Sequence, residues 1–210
     1  MNTDNAVSVP KIDSETTPDH AAEIKLKCNN WASDFPYTPE VTARLWHNDK
    51  TLFINYNVKE ENIAALAVSD NGEVWKDSCV EFFFAPDGNG YYNLEANCTG
   101  KVLLSHRLGR KENVEYATSE VLDKITRDPS LGKIEFTQKK SDGPWSLQLA
   151  IPVSTFFKHG LNSFNGLKAR CNIYKCGDDL LKPHFLSLFP INTPQPDFHR
   201  PEFFGEIIFE

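Results

Sequence analysis

Apolar side chains in this chain recur at every second position, in short runs cut off by turn residues. The clearest case is residues 74–97, VWKDSCVEFFFAPDGNGYYNLEAN. Period-two alternation is what a strand shows when one of its faces is buried. Between the arms, PDGNG (86–90) carries Gly and Asn, which supply the positive φ angles of a tight reversal. The stretch therefore predicts a β-hairpin. VTARLWHNDKTLFINYNV (41–58) repeats the signal around HNDK. KVLLSHRL (101–108) reads as a third strand of a meander, and KIEFTQKK (133–140) with WSLQLAIP (145–152) as another hairpin. LKARCNIYKC (167–176), HFLSLFP (184–190) and the closing HRPEFFGEIIFE (199–210) add further strands. SEVLDKI and VSTFFKHG are the candidates for one or two short helices, and residues 59–73 read as a loop. Many short strands at regular spacing imply an all-β fold, a two-layer antiparallel β-sandwich of the jelly-roll or immunoglobulin-like kind. Residues 1–20 are polar, hold Pro10 and Pro18, and read as a loosely ordered segment; residues 21–210 read as one domain.

Composition narrows the function. The chain has 22 basic against 29 acidic residues, a net charge of −7, and no basic stripe. A nucleic-acid partner is therefore not expected. No apolar run approaches the roughly 18 residues of a membrane span, so no membrane partner is expected either. MNTDNAVSVPKIDSETTPDH lacks a cationic and apolar leader pattern. The chain reads as cytoplasmic, or as periplasmic or secreted if a leader has been removed. The five cysteines are odd in number and form no CxxC pair, which reads as free thiols.

Alternation assigns faces to the hairpin. Val80, Phe82 and Phe84 share one face with Tyr92, Leu94 and Ala96 of the second arm. Cys79, Glu81 and Phe83 share the other with Asn93, Glu95 and Asn97. With the turn centred on Gly88, paired residue numbers sum to 176, so Glu81 faces Glu95, Cys79 faces Asn97 and Phe83 faces Asn93. Opposed carboxylates repel and call for a cation, a metal or a hydroxylated ligand. On residues 167–176, Lys168, Arg170, Asn172 and Tyr174 form the polar set. If that strand joins the same sheet, Arg170 and Asn172 meet the carboxylates. Such a field of donors and acceptors suits sugar hydroxyls, and the C–H faces of a sugar stack on aromatic rings. Trp75 and Tyr174 are the ring candidates, with Phe198 and His199 from the Pro-rich loop behind them. Trp31, Trp46 and Trp145 read as packing residues.

WKDSCVEFF (75–83) followed by YYNLEAN resembles the family 9 carbohydrate-binding modules attached to xylanases. WSLQLAIP, KARCNIYKC and FHRPEFFGEIIF resemble further strands of that group and of its standalone bacterial relatives, in the same order. The resemblance covers about residues 20–210. It implies a terminal sugar clamped between two rings. Trp75 matches the first ring, Glu81 the glutamate six residues later, and Asn97 an asparagine on the next strand. Glu95 stands where the xylanase-linked modules carry an arginine. No Trp matches the second ring, for which Tyr174 and Phe198 are the replacements. Structural calcium is also implied, with Asp70 and Asp77 as acidic candidates. The expected function is non-catalytic binding of an oligosaccharide or polysaccharide of the xylan or glucan type. The expected ligand-binding set is Trp75, Glu81, Asn93, Glu95, Asn97, Arg170, Asn172, Tyr174 and His199, with no catalytic residue. The alternatives are a glycoside hydrolase using the Glu81/Glu95 pair and a sandwich that meets a partner protein. A haem-binding relative would ligate through Met and His, and Met1 is the only methionine.

Overall fold

The computed structural model describes residues 6–210. In it the hairpin read from residues 74–97 forms with the expected register: Cys79 pairs Asn97, Glu81 pairs Glu95 and Phe83 pairs Asn93. Within the turn, Gly90 rather than Gly88 or Asn89 takes the positive φ, at 90°. A Cβ there would meet the Arg107 carbonyl oxygen at 2.6 Å, so glycine answers both the angle and the space.

Sixteen strands are described. They are β1 (Ala6–Val9), β2 (Ala22–Lys25), β3 (Cys28–Asn29), β4 (Glu40–His47), β5 (Thr51–Lys59), β6 (Asn62–Ala65), β7 (Cys79–Ala85) and β8 (Tyr91–Asn97). After them come β9 (Val102–Arg107), β10 (Glu115–Tyr116), β11 (Thr126–Pro129), β12 (Phe136–Lys140), β13 (Trp145–Pro152), β14 (Lys168–Cys176), β15 (Phe185–Ser187) and β16 (Gly205–Phe209). The larger sheet runs β1-β16-β14-β7-β8-β9-β10, with β15 and β3 joined beside β14. The smaller runs β11-β13-β5-β4-β2. Val80, Phe82 and Phe84 of β7 meet Leu45, Ile54 and Leu147 of the smaller sheet in the core between them. This is the two-layer sandwich.

Several details differ from the sequence reading. β1 pairs β16 in parallel, so the sheet is not wholly antiparallel, and Ala6–Val9 of the N-terminal segment is held in the sheet. Residues 1–5 of that segment lie outside the described residues. β12 does not pair β13. It pairs β6, inside the stretch expected to be a loop. Both edges of β13 are taken, by β5 and β11, and the exposed, Lys-rich β12 would place its charges against them. Among the described residues the helical content is one short helix, α1 (Ser119–Leu122), and 3-10 turns such as Val153–Thr155.

The larger difference concerns burial. β7, β8 and β9 are buried at every residue, on both faces. The face expected to be open is covered by a second apolar cluster that includes Trp31, Phe83, Tyr174, Ile191, Phe198 and Phe204. Much of that cover comes from the loops around β15 and from the segment before β16.

One end of the core holds a charge cluster. Lys175 Nζ lies 2.9 Å from Glu60 Oε2, both side chains being fully buried. The approach is off the hydrogen-bond direction, a charge contact rather than an aligned bond. Trp145 Nε1 donates to Glu60 Oε1 at 2.7 Å. His184 Nε2 accepts from Lys175 Nζ at 2.8 Å, while its Nδ1 donates to the Lys182 carbonyl at 2.9 Å. Burial, then the Lys175 ammonium, push the His184 pKa down to about 2. The unfolded chain therefore takes up this proton first, near the ordinary pH of about 6.5. Stability is complete above that pH and is lost as pH falls below it. The expected loss is about 2 kcal/mol between pH 6.5 and 5. Urea titrations of the wild type and His184→Gln across this window isolate it: the variant should show the flatter dependence, and parallel curves would sink the assignment.

Candidate carbohydrate-binding site

On the outer face of the larger sheet the covering loops leave a cavity of about 530 Å³. Its floor is strand residues: Glu81 from β7, Glu95 from β8, Leu103 and Arg107 from β9, and Cys176 at the end of β14. These share a face because the registers put Glu81 against both Glu95 and Tyr174, and Leu103 against Glu95. Trp75 and Asp178 line the cavity from the turns beside these strands, Phe198 and His199 from the segment before β16. Arg110, Lys111 and Tyr116 line it from the segment after β9.

Trp75 sits in a 3-10 turn, Val74–Lys76, and is partly exposed. Its carbonyl oxygen accepts the Asp178 N–H at 3.2 Å and the Cys176 thiol at 3.4 Å, which ties the turn to β14. Phe198 is backed by Tyr174, ring on ring, with centroids 4.1 Å apart and planes 5° from parallel. The Tyr174 hydroxyl donates to the Phe198 carbonyl at 3.2 Å. His199 Nδ1 shares a 3.0 Å hydrogen bond with the Tyr91 hydroxyl. Burial, then the positive charges of Arg107 and Arg110, push the His199 pKa down to about 3, so its ring is neutral at pH 7.

A polar chain crosses the floor. Arg107 donates to Ser105 Oγ through Nε at 3.1 Å and a terminal nitrogen at 2.8 Å. Ser105 Oγ donates to Asn93 Oδ1 at 2.5 Å, and Asn93 Nδ2 donates to Glu95 Oε1 at 2.8 Å. The chain stops there. Glu95 Oε2 is buried and has no hydrogen-bond partner. Burial raises the Glu95 pKa to about 7, against the lowering pull of Asn93 and Arg107. Burial, then the facing Glu95, hold Glu81 well above the usual carboxylate range.

Of the residues singled out from sequence, Trp75, Glu81, Glu95 and His199 line this cavity, and Asn93 orients Glu95 from behind. The other four lie elsewhere. Asn97 accepts from Thr99 and Lys101 and donates to Asp77 at 2.8 Å. Arg170 reaches the Glu202 and Phe204 carbonyls. Asn172 bonds Phe189 through both ends of its amide. Tyr174 is fully buried beneath Phe198. Asp178 was missed, and Arg107 was not placed among the binding residues. For Arg107 the signal was present: Leu103, Ser105 and Arg107 alternate onto the Glu95 face of KVLLSHRL.

The residues read as calcium candidates do not fit that ion. Arg127 takes both Asp70 oxygens at 2.7 Å. Asp77 accepts from the Leu66 and Ala67 N–H groups and from Asn97. Each carboxylate already accepts three contacts from the protein, and a calcium ion needs six to eight oxygen ligands.

A sequence model of carbohydrate-binding family 9 matches residues 11–209. This chain belongs to that family. The family 9 chain is similar to a candidate carbohydrate-binding protein from Bacteroides uniformis ATCC 8492, with a TM-score of 0.92 and 39% identity over 98% of this chain and 99% of that one. It shares its fold with a family 9 module from Caldicellulosiruptor kristjanssonii solved with cellotriose, at a TM-score of 0.63 and 10% identity, covering 98% and 93% of the two chains. The glucose complex of a family 9 module from that organism gives a TM-score of 0.64 at 10% identity over 98% and 95%. An extracellular protein of Arthroderma benhamiae is 24% identical over 187 residues, 81% of this family 9 chain and 79% of that protein.

Proposed function

We propose that this cavity binds a carbohydrate without cleaving it, and that the ligand is a gluco-configured unit of a xylan- or glucan-type glycan. The observation that carries the reading is the pairing of apolar rings with an unused acceptor. Trp75 and Phe198 offer faces for sugar C–H groups, and Glu95 Oε2 offers a buried, unpartnered oxygen for a hydroxyl. Arg107, fixed by Ser105, supplies donors on the same floor. Relatives of this family solved with glucose and cellotriose support the choice of sugar class. A retaining hydrolase needs two carboxyls on either side of the scissile bond. Glu81 and Glu95 instead stand side by side on one floor, Glu81 engaged by the Cys176 thiol and Glu95 by Asn93.

Calorimetry with glucose, cellotriose and xylotriose tests the proposal. Binding between micromolar and millimolar, about −8 to −4 kcal/mol, is expected for at least one. A folded protein that gives no heat with any of them would refute it. Release of shorter sugars, abolished by Glu81→Gln and by Glu95→Gln, would move the reading to hydrolysis. Glu95→Gln alone keeps an acceptor for Asn93 but removes the charge, and should weaken binding about tenfold, the worth of one charge-assisted hydrogen bond.

A further inference from the structure

We propose that Cys79, Cys176 and Glu81 form a site for a thiophilic divalent cation of the Zn²⁺ class, set in the floor of the cavity. Cys79 and Cys176 are directly opposed on β7 and β14, and Glu81 lies two residues on, on the same face. One donor atom from each lies within 4.8 Å of the other two. Cys176 Sγ already approaches Glu81 Oε1 at 3.1 Å. All three side chains are buried, at 0%, 1% and 2% exposure for Cys79, Cys176 and Glu81.

An unpartnered buried acceptor beside these donors gives the independent reason for a ligand here. Glu81 faces Glu95, and Asp178 lines the same cavity. Among the described residues, none of these three acids is in an ion pair. One oxygen of Glu95 has no hydrogen-bond partner at all. A buried acceptor left unpaired costs free energy, and a bound cation with its coordinated water supplies a partner; the two thiolates offset the charge of the ion, so exchanging two thiol protons for it leaves the net charge of the site unchanged.

The donor set chooses the ion. Two sulfurs and a carboxylate select a borderline-soft metal over calcium or magnesium. Zn–S and Zn–O bonds of about 2.3 and 2.1 Å at tetrahedral angles put donors about 3.5–3.8 Å apart, so the three side chains need only small rotations to close on it. Cys176 and Glu81 line the cavity, so the fourth position falls on its side, where Asp178 or a water can fill it. On binding, each thiol releases its proton to solvent, as does the Glu81 carboxyl where it carries one, and the metal takes two thiolates and a carboxylate.

Cobalt titration of the full chain tests this, after reduction and removal of metal by a chelator. One equivalent of Co²⁺ should bring up a thiolate-to-cobalt charge-transfer band, and Zn²⁺ should bleach it. Cys176→Ser should lose at least half of the band, one thiolate of the two being gone, and Cys28→Ser, a change at a half-exposed thiol far along the chain, should keep it whole. If Cys176→Ser does not fold by circular dichroism, Glu81→Gln serves instead: the band persists but Co²⁺ affinity falls at least tenfold. No band in folded, reduced wild type, a band unchanged in Cys176→Ser and undiminished in Glu81→Gln, or displacement of Co²⁺ by Ca²⁺ would overturn the assignment. Sugar binding is measured separately by calorimetry, so failure of either reading leaves the other standing.

Discussion

Trp75→Ala should lower affinity for the bound sugar at least tenfold, and for a millimolar ligand should abolish measurable heat. Removing the indole deletes one stacking face and the water-free surface beneath the sugar, on the order of 1.5–3 kcal/mol. Trp75 suits the test because it is partly exposed and its hydrogen bonds run through its backbone carbonyl, which the substitution leaves in place; its ring only flanks the outer apolar cluster. Phe198→Ala should also weaken binding. Yet that ring is nine-tenths buried and stacked on Tyr174, so a loss of binding there mixes contact with stability. Calorimetry with Trp75→Ala, alongside a melting curve within a few degrees of wild type, reads the contact alone. Undiminished affinity would move the sugar out of this cavity.

The largest effect on stability is expected at the opposite face of β14. Lys175→Met leaves Glu60 as a buried carboxylate with only Trp145 donating to it and the neutral His184 ring 3.5 Å away, and should cost about 3–5 kcal/mol in urea unfolding. Glu60→Gln should cost a similar amount by stranding the ammonium. The double variant removes both charges together and should recover half or more of the summed loss. The cycle gives the coupling directly. A Lys175→Met cost below about 1 kcal/mol would mean that the pair contributes no more than a surface ion pair.

Local pattern carried much of the fold. The hairpin of residues 74–97 was legible to the level of register because alternation and a glycine-bearing turn agree on one pairing. That residues 167–176 form a strand was legible, but its place was not: β14 does join β7, yet its register sets Tyr174 against Glu81, and Arg170 and Asn172, expected at the carboxylates, lie against Ala85 and Phe83. What alternation does not carry is the identity of the layer that covers a face. Glu81, Asn93, Glu95 and Asn97 read as an open polar surface, yet the cover that buries them comes from residues a hundred positions away, Phe185 and Phe198 among them. For the same reason Asn97, Asn172 and Arg170 sat in a plausible pattern while their hydrogen bonds go to loop carbonyls and to Asp77. The β6–β12 pairing was also beyond local pattern, because nothing in a short, exposed, Lys-rich strand names its partner.

The parallel pairing of β1 with β16 has a bearing on how the chain is made. Ala6 lies against Glu206 and Val9 against Phe209, so a strand from one end of the sequence is completed only by a strand from the other. Contacts of such long separation are slow to form, and synthesis supplies the N-terminal strand first. While the chain is being translated, Ala6–Val9 lacks its β16 partner until Gly205–Phe209 has been made. The larger sheet is thus closed last at the border where it was begun first.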